Sequence, residues 1–174
     1  RAHTITFQAS RDTVTPTPSQ VASGVESVAI GSHSTASGNY GYSTAVGYNT
    51  TASGYYGYDT AIGYSATASG SYSTAVGYAA EASGLTSTAI GNDAEASGSF
   101  SIAIGRTAIA SGSYTSAIGF RAKTTVNNSS EIGYWSGSTT RAGAIRVHGT
   151  GMVAQTIQNR ATAYGDGGAT KGSE

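Results

Sequence analysis

The sequence predicts an all-β solenoid, a parallel β-roll with one short repeat per coil. Three observations carry this. Ala-Ser-Gly recurs at 22–24, 36–38, 52–54, 68–70, 82–84, 96–98 and 110–112, and Ala-(Ile/Val)-Gly at 29–31, 45–47, 61–63, 75–77, 89–91, 103–105 and 117–119, with an echo at 131–133 where Glu131 replaces Ala. Successive copies lie 14 residues apart, apart from two repeats stretched to 16 by NYGYST (39–44) and YYGYDT (55–60). A fixed short period is the mark of a solenoid, and this one is too short for a helical hairpin. It suits two short strands and two turns. Glycine recurs at seven-residue steps through most of the array. Each would cost about 1 kcal/mol in a helix interior, which argues against helix. Both insertions fall between Ala-Ser-Gly and Ala-(Ile/Val)-Gly, so one connection tolerates extra length and the other does not.

Within a repeat such as Ser73-Thr74-Ala75-Val76-Gly77, strand alternation puts Thr74 and Val76 on one face and Ser73 and Ala75 on the other. The Ile/Val column (Ile30, Val46, Ile62, Val76, Ile90, Ile104, Ile118, Ile132) is β-branched, as a pleated surface favours. The neighbouring column is Ala at 29, 45, 61, 75, 89, 103 and 117. A small residue kept at one place implies close packing, so the strand is expected to be covered on both faces, Ile/Val against one neighbour and Ala against another. Glycine supplies the corners because it reaches positive φ without a Cβ clash, and Ser beside it can bond nearby backbone. Coils stacked at about 4.8 Å would make a rod segment about 40 Å long. One coil buries very little, and a thin roll has a poor surface-to-volume ratio. A homo-oligomer would supply the missing layer; the number of chains does not follow from this argument.

The boundaries follow from where the repeat starts and stops. Residues 1–20 read as a strand (Ile5 and Phe7 on one face) and a linker in which Pro16 and Pro18 impose an extended path. Residues 21–133 are the roll. From 121 the text degrades: Thr124-Thr125-Val126 takes the Ala-Ser-Gly slot and Asn127-Asn128 reads as a turn, as expected of a capping repeat. Arg121 and Lys123 suit an edge that discourages end-to-end aggregation. Tyr134-Trp135 reads as a plug closing the roll. Residues 134–174 read as a strand-rich connector, with short strands at 144–148 and 152–154, and a flexible tail. The chain starts at Arg1 and carries no signal peptide, and reads as a segment of a longer polypeptide.

The lines STAVGYAAEASGLTS (73–87) and STAIGNDAEASGSFS (87–101) fit (S/T)-x-A-I-G-x-x-(S/A)-x-A-S-G-x-x-S. This pattern resembles the head repeats of YadA-like trimeric autotransporter adhesins, over about residues 20–133. The resemblance implies a left-handed parallel β-roll and a homotrimer of rolls packed side by side. The family's Asn-Ser-Val before Ala-Ile-Gly is only partly kept, Glu26-Ser27-Val28 coming closest. Such repeats also occur in phage tail-fibre proteins, so the resemblance implies either a bacterial outer surface or a virion.

Composition excludes several other classes. Nine basic and nine acidic residues leave no net charge, so the basic footprint of a nucleic-acid binder is missing. There is no Cys, hence no disulfide scaffold or thiolate metal site, and no apolar run long enough to insert in a membrane. Gly165-Asp166-Gly167-Gly168 lacks the strand–helix setting of a phosphate loop. His3, His33 and His148 are far apart; three symmetry-related copies of His33 could hold an ion, but a solvated turn residue is the simpler reading. Glu81, Asp93 and Glu95 read as rim charges rather than an acid/base pair. No enzyme, metal or cofactor is expected.

Aromatic residues are the candidate contact surface. One column follows Ala-(Ile/Val)-Gly (Tyr48, Tyr64, Tyr78, Phe120), broken by Ser32, Asn92 and Arg106. Another follows Ala-Ser-Gly (Tyr40, Tyr56, Tyr72, Phe100, Tyr114), with Tyr42 and Tyr58 read as arriving with the inserted residues. Stacked coils turn such columns into ladders. They either pack over neighbouring coils and across an oligomer seam or offer amphipathic rings to a host glycan or surface-protein receptor. The first column reads better as packing. Tyr40, Tyr42, Tyr56 and Tyr58 are the candidate receptor contacts, because extra loop length that adds only aromatics is how a scaffold gains a contact site. The expected role is host attachment by a non-enzymatic trimeric fibre module, alongside other fibre or virion proteins. A purely structural spacer is the alternative. Ice binding would need a longer flat Thr array than Thr44, Thr60, Thr74 and Thr88 provide.

Overall fold

A computed structural model describes residues 5–7, 21–133 and 145–148. The chain winds through two parallel sheets, adding one strand to each per coil. The first sheet contains Val28–Ile30, Thr44–Tyr48, Thr60–Tyr64, Thr74–Tyr78, Thr88–Ile90, Ile102–Ile104, Ser116–Ile118 and Ser130–Gly133. Ile5–Phe7 extends it at one end and Ile145–His148 at the other, giving ten strands. The second sheet has eight two-residue strands, from Val21–Ala22 to Lys123–Thr124. Pairing is in register with the repeat: Ala29, Ala45, Ala61, Ala75, Ala89, Ala103 and Ala117 are successive partners.

The interior is made of small side chains. Every buried apolar residue among the described residues is alanine, contributed by both sheets. A column of Ser27, Ser43, Ser73, Ser87, Ser101 and Thr115 lies beside them, equally buried. Ser27 and Thr115 satisfy their hydroxyls by donating to the Gly24 and Gly112 carbonyls three residues back, at 2.9 and 2.7 Å. The Ile/Val column lies on the opposite side of the first sheet, as alternation requires. It does not enter the core: Ile62 is 40% and Ile132 42% exposed in the single chain. Ala therefore has its neighbour inside the roll, and the Ile/Val face is open.

Glycine at the corner after each long strand is a steric necessity. Gly63 has φ +136°, and a Cβ there would run into the carbonyl oxygen of Gly77 in the next coil. The next position but one is left-handed in every coil but need not be glycine: Asn49, Ser65, Ala79 and Asp93 hold φ of 55, 53, 49 and 52°. Room for a side chain, rather than backbone conformation alone, separates the two positions.

At the C-terminal end Thr124, in Cα register with Ala110, opens the Ala-Ser-Gly slot and is buried, and Asn128 has φ 55°, as a turn there requires. The Asn127 side chain accepts the Ser113 amide at 2.9 Å. Glu131 continues the inward Ala column, fully buried, in Cα register with Arg146. Ile5–Phe7 and Ile145–His148 answer to the strands expected in both flanks. The prolines, Tyr134-Trp135, the 152–154 strand and the tail lie outside the described residues.

Replacing Gly63 by Ala should destabilise the roll by at least about 2 kcal/mol, because strain and overlap act together. Ser53→Ala, on the outer side of the second sheet, should be close to neutral. Thermal unfolding followed by circular dichroism compares the two.

Candidate functional site

Two corners join the sheets, and each carries an aromatic ladder. At the corner leaving the first sheet, Tyr48, Tyr64 and Tyr78 are Cα partners in register. Their rings stack at 5.0 and 5.1 Å with interplanar angles of 16 and 4°. His33 meets Tyr48 edge-on at 5.6 Å. Two coils beyond Tyr78 the column continues with Arg106, whose guanidinium lies over the Phe120 ring at 5.6 Å; Arg121 approaches the same ring at 5.8 Å.

At the corner entering the first sheet the ladder is Tyr42, Tyr58 and Tyr72, with Phe100 and Tyr114 further on. Tyr42–Tyr58 and Tyr58–Tyr72 stack at 4.9 and 5.4 Å, and Phe100–Tyr114 at 4.9 Å. The backbone register puts Tyr72 with Tyr58, where the sequence column grouped it with Tyr40 and Tyr56; the rings of those three also stack, Tyr40–Tyr56 at 6.2 Å and 26° and Tyr56–Tyr72 at 6.4 Å and 24°. Tyr42, Tyr58, Tyr72, Thr86, Phe100 and Tyr114 all have φ between 53 and 61°. The Tyr58 amide donates to Gly41, the Tyr72 amide to Gly57 and the Thr86 amide to Ser71. Gly41 and Gly57 therefore stand where other coils have Ser71 or Leu85. The added residues are Asn39-Tyr40 and Tyr55-Tyr56, and Tyr42 and Tyr58 are regular members. Register is counted backward from the strand, because the left-handed residue that launches it is fixed and the turn before it absorbs the extra length.

The inserted rings form their own cluster. Tyr40 lies edge-on to Tyr55 at 5.5 Å and 72°, and Tyr55 edge-on to Tyr56 at 5.2 Å and 83°. A side-chain hydrogen bond with Tyr40 is the main reason that the Tyr55 phenol is held above its ordinary pKa, with partial burial and Tyr56 adding to it. The four candidate contacts Tyr40, Tyr42, Tyr56 and Tyr58 thus share one corner with Tyr55 and Tyr72, and all six are about half exposed or more, from 48% for Tyr72 to 60% for Tyr40. Sequence reading missed Tyr55 as a member of this surface; its signal was the Tyr55-Tyr56 pair that makes up the second insertion.

Asp59 was also missed. It occupies the inward Ser column and is fully buried. Its Oδ1 accepts the Ser73 amide and hydroxyl, each at 2.9 Å, while Oδ2 has no hydrogen-bond partner among the described residues. Burial raises its pKa above the usual carboxylate value, and the bonds from Ser73 and the Gly54 backbone offset only part of this. The signal was an acid where the other coils have Ser or Thr. Glu81 and Glu95 pair on the outer side of the second sheet, and Glu95 accepts the Ser97 hydroxyl at 3.0 Å, so they are rim groups. Among the described residues no three His, Cys, Asp or Glu side chains are grouped to hold a metal ion, and no helix is long and apolar enough to cross a membrane.

A protein-family profile described as "YadA head domain repeat (2 copies)" matches residues 22–41, 42–57, 58–80, 82–108 and 110–130, well over half of the chain. The chain belongs to the YadA head-repeat family. No curated protein matches it. The YadA head match makes this chain an adhesin-type module with an extracellular-facing role, and its repeat is the coil described above. The two-residue insertions fall at the corner entering the first sheet.

Asp59 has its folded-state pKa raised, so folding favours its neutral form. Its ionisation therefore costs stability as pH rises through and above the ordinary Asp range. Asp59→Asn should raise the unfolding temperature at pH 7, by the equivalent of about 1–3 kcal/mol. The gain should shrink as pH falls below the usual Asp pKa, where both side chains are neutral. Melting curves of both proteins across acidic and neutral pH test this.

Proposed function

We propose that this chain is the contact-bearing head segment of a homotrimeric surface fibre that attaches to a host through the tyrosine-rich corner. It is non-enzymatic and needs no cofactor. The observation that carries the reading is the concentration of six exposed tyrosines, Tyr40, Tyr42, Tyr55, Tyr56, Tyr58 and Tyr72, at the one corner where the repeat admits extra residues. The neighbouring surface is poor in charge, which favours a neutral glycan or a polar protein surface over an anionic ligand.

The open face of the first sheet supports the trimer. Ile30, Val46, Ile62, Val76, Ile90, Ile104, Ile118 and Ile132 form one outward stripe in register. Three left-handed rolls with these stripes turned inward would cover it. A bacterial outer surface fits the family; a virion tail fibre, with other fibre proteins as partners, is the other setting for such repeats.

A spacer role is the second reading, and the Tyr48–Tyr64–Tyr78 ladder favours it for that corner. Stacked rings cover one another's faces and leave mainly edges and hydroxyls to solvent, an arrangement that reinforces the rod.

Tyr40→Ser with Tyr56→Ser should abolish attachment to host cells or to a glycan array while leaving the circular dichroism spectrum and assembly mass unchanged. Attachment retained by the variant would overturn the tyrosine corner as the contact, and a wild-type chain that does not attach would leave the spacer reading. Ile62→Glu should shift the light-scattering mass from three chains towards one; a wild-type chain already monomeric at low concentration would remove the trimer.

A further inference from the structure

We infer that Tyr48, Tyr64 and Tyr78 form a site of oxidative cross-linking, at which dityrosine joins consecutive coils of one chain. The inference is independent of any receptor. It starts from the register of the backbone. Thr44–Tyr48, Thr60–Tyr64 and Thr74–Tyr78 are the three strands of the first sheet that run on through glycine to a tyrosine. Tyr48 pairs with Tyr64, and Tyr64 with Tyr78, as direct Cα partners. The next residue locks each rung, the Ser65 amide donating to the Tyr48 carbonyl and the Ala79 amide to the Tyr64 carbonyl, both at 2.8 Å. The rings are side by side because the sheet holds them there.

Two further conditions are met. Each ring is accessible, with Tyr48, Tyr64 and Tyr78 at 46, 48 and 54% exposure. Oxidisable competitors are scarce: the chain has no Cys, and its single Met and single Trp are Met152 and Trp135, both outside the repeats. Within residues 21–133 tyrosine is the most readily oxidised side chain. The near-parallel stacking, at 16 and 4° with centroids 5.0 and 5.1 Å apart, lays neighbouring phenol rings face to face. In the insertion cluster Tyr55 meets Tyr40 and Tyr56 edge to face, and Tyr40 and Tyr56 stack only at the longer distance of 6.2 Å. Tyr42, Tyr58 and Tyr72 stack at 4.9 and 5.4 Å with angles of 27 and 10°, but they arise from turns, outside the strands whose Cα register holds the first ladder.

The reaction requires a one-electron oxidant, such as a haem peroxidase using hydrogen peroxide. Each of two neighbouring phenols gives up one electron and its hydroxyl proton. The two phenoxyl radicals couple through ortho carbons, forming one C–C bond. The two ortho C–H bonds then break, their protons moving to the ring oxygens as aromaticity returns. The pair has lost two electrons and two protons, which reduce one peroxide to two waters. The product ties one coil to the next in a chain that has no disulfide to do so.

The test treats the full chain, in whatever assembly it forms, with a haem peroxidase and hydrogen peroxide. Dityrosine fluorescence should rise, and the intact mass should fall by two hydrogens per link. The protein should migrate as a single chain on a denaturing gel, and digestion should yield joined peptides containing Tyr48 with Tyr64 or Tyr64 with Tyr78. Tyr64→Phe keeps the stack but cannot form the central phenoxyl radical. It should lose both links, while Tyr114→Phe should keep them. Links found only between chains, only at other tyrosines, or absent from wild-type protein with an intact circular dichroism spectrum would overturn the inference.

Discussion

Each coil hands its strand hydrogen bonds to the coils on either side, so the spacing of the stack is set by the backbone and every side chain must accommodate it. Where two glycines of successive coils meet, as at Gly63 and Gly77, the carbonyl of one fills the place a Cβ would take on the other. Among the described residues the fully buried side chains are Ala, Ser, Thr and the two acids Asp59 and Glu131. A core of this kind gains little from each residue, since alanine has one methyl to bury. Its cohesion comes from the regular ladder and from repetition.

The same constraint produces the surface. Residues at one phase of the repeat are stacked at ladder spacing whether or not they attract each other. Tyrosine at such a phase becomes a column of face-to-face rings, as at Tyr48, Tyr64 and Tyr78. Departure from the period is therefore the one way to point a ring elsewhere. The two insertions do this, and Tyr55 lies edge-on to both Tyr40 and Tyr56, which stack on each other at 6.2 Å. The adhesin-type role of the family and the placement of these rings meet at a corner whose loop is free to lengthen.

Buried acids mark where the pattern bends. Asp59 replaces a serine in the coil with the Tyr55-Tyr56 insertion and reaches across to the Ser73 amide and hydroxyl. Glu131 replaces an alanine where the roll gives way to Ile145–His148. Asp59 is costly to ionise inside a tube of small groups. Each acid sits at a transition of the chain, one at a bulge and one at the end of the regular repeat.

Much of this was legible in the sequence because period and strand alternation act locally. Two strands per coil, parallel pairing in register, Ala on one face with Ile62 and its column on the other, and the capping turn at Asn127-Asn128 all follow from spacing. What spacing could not give is which end of an elongated turn keeps its phase. That depended on the left-handed residue before the strand, and only the bonded coils show that the backbone register puts Tyr72 with Tyr58, although its ring also stacks with Tyr56 at 6.4 Å. Nor could it give the inward direction of Asp59, since an acid in a turn reads as solvated until the neighbouring coil closes over it. Sequence fixes order along one strand; the fate of a turn side chain is decided by the coil stacked against it.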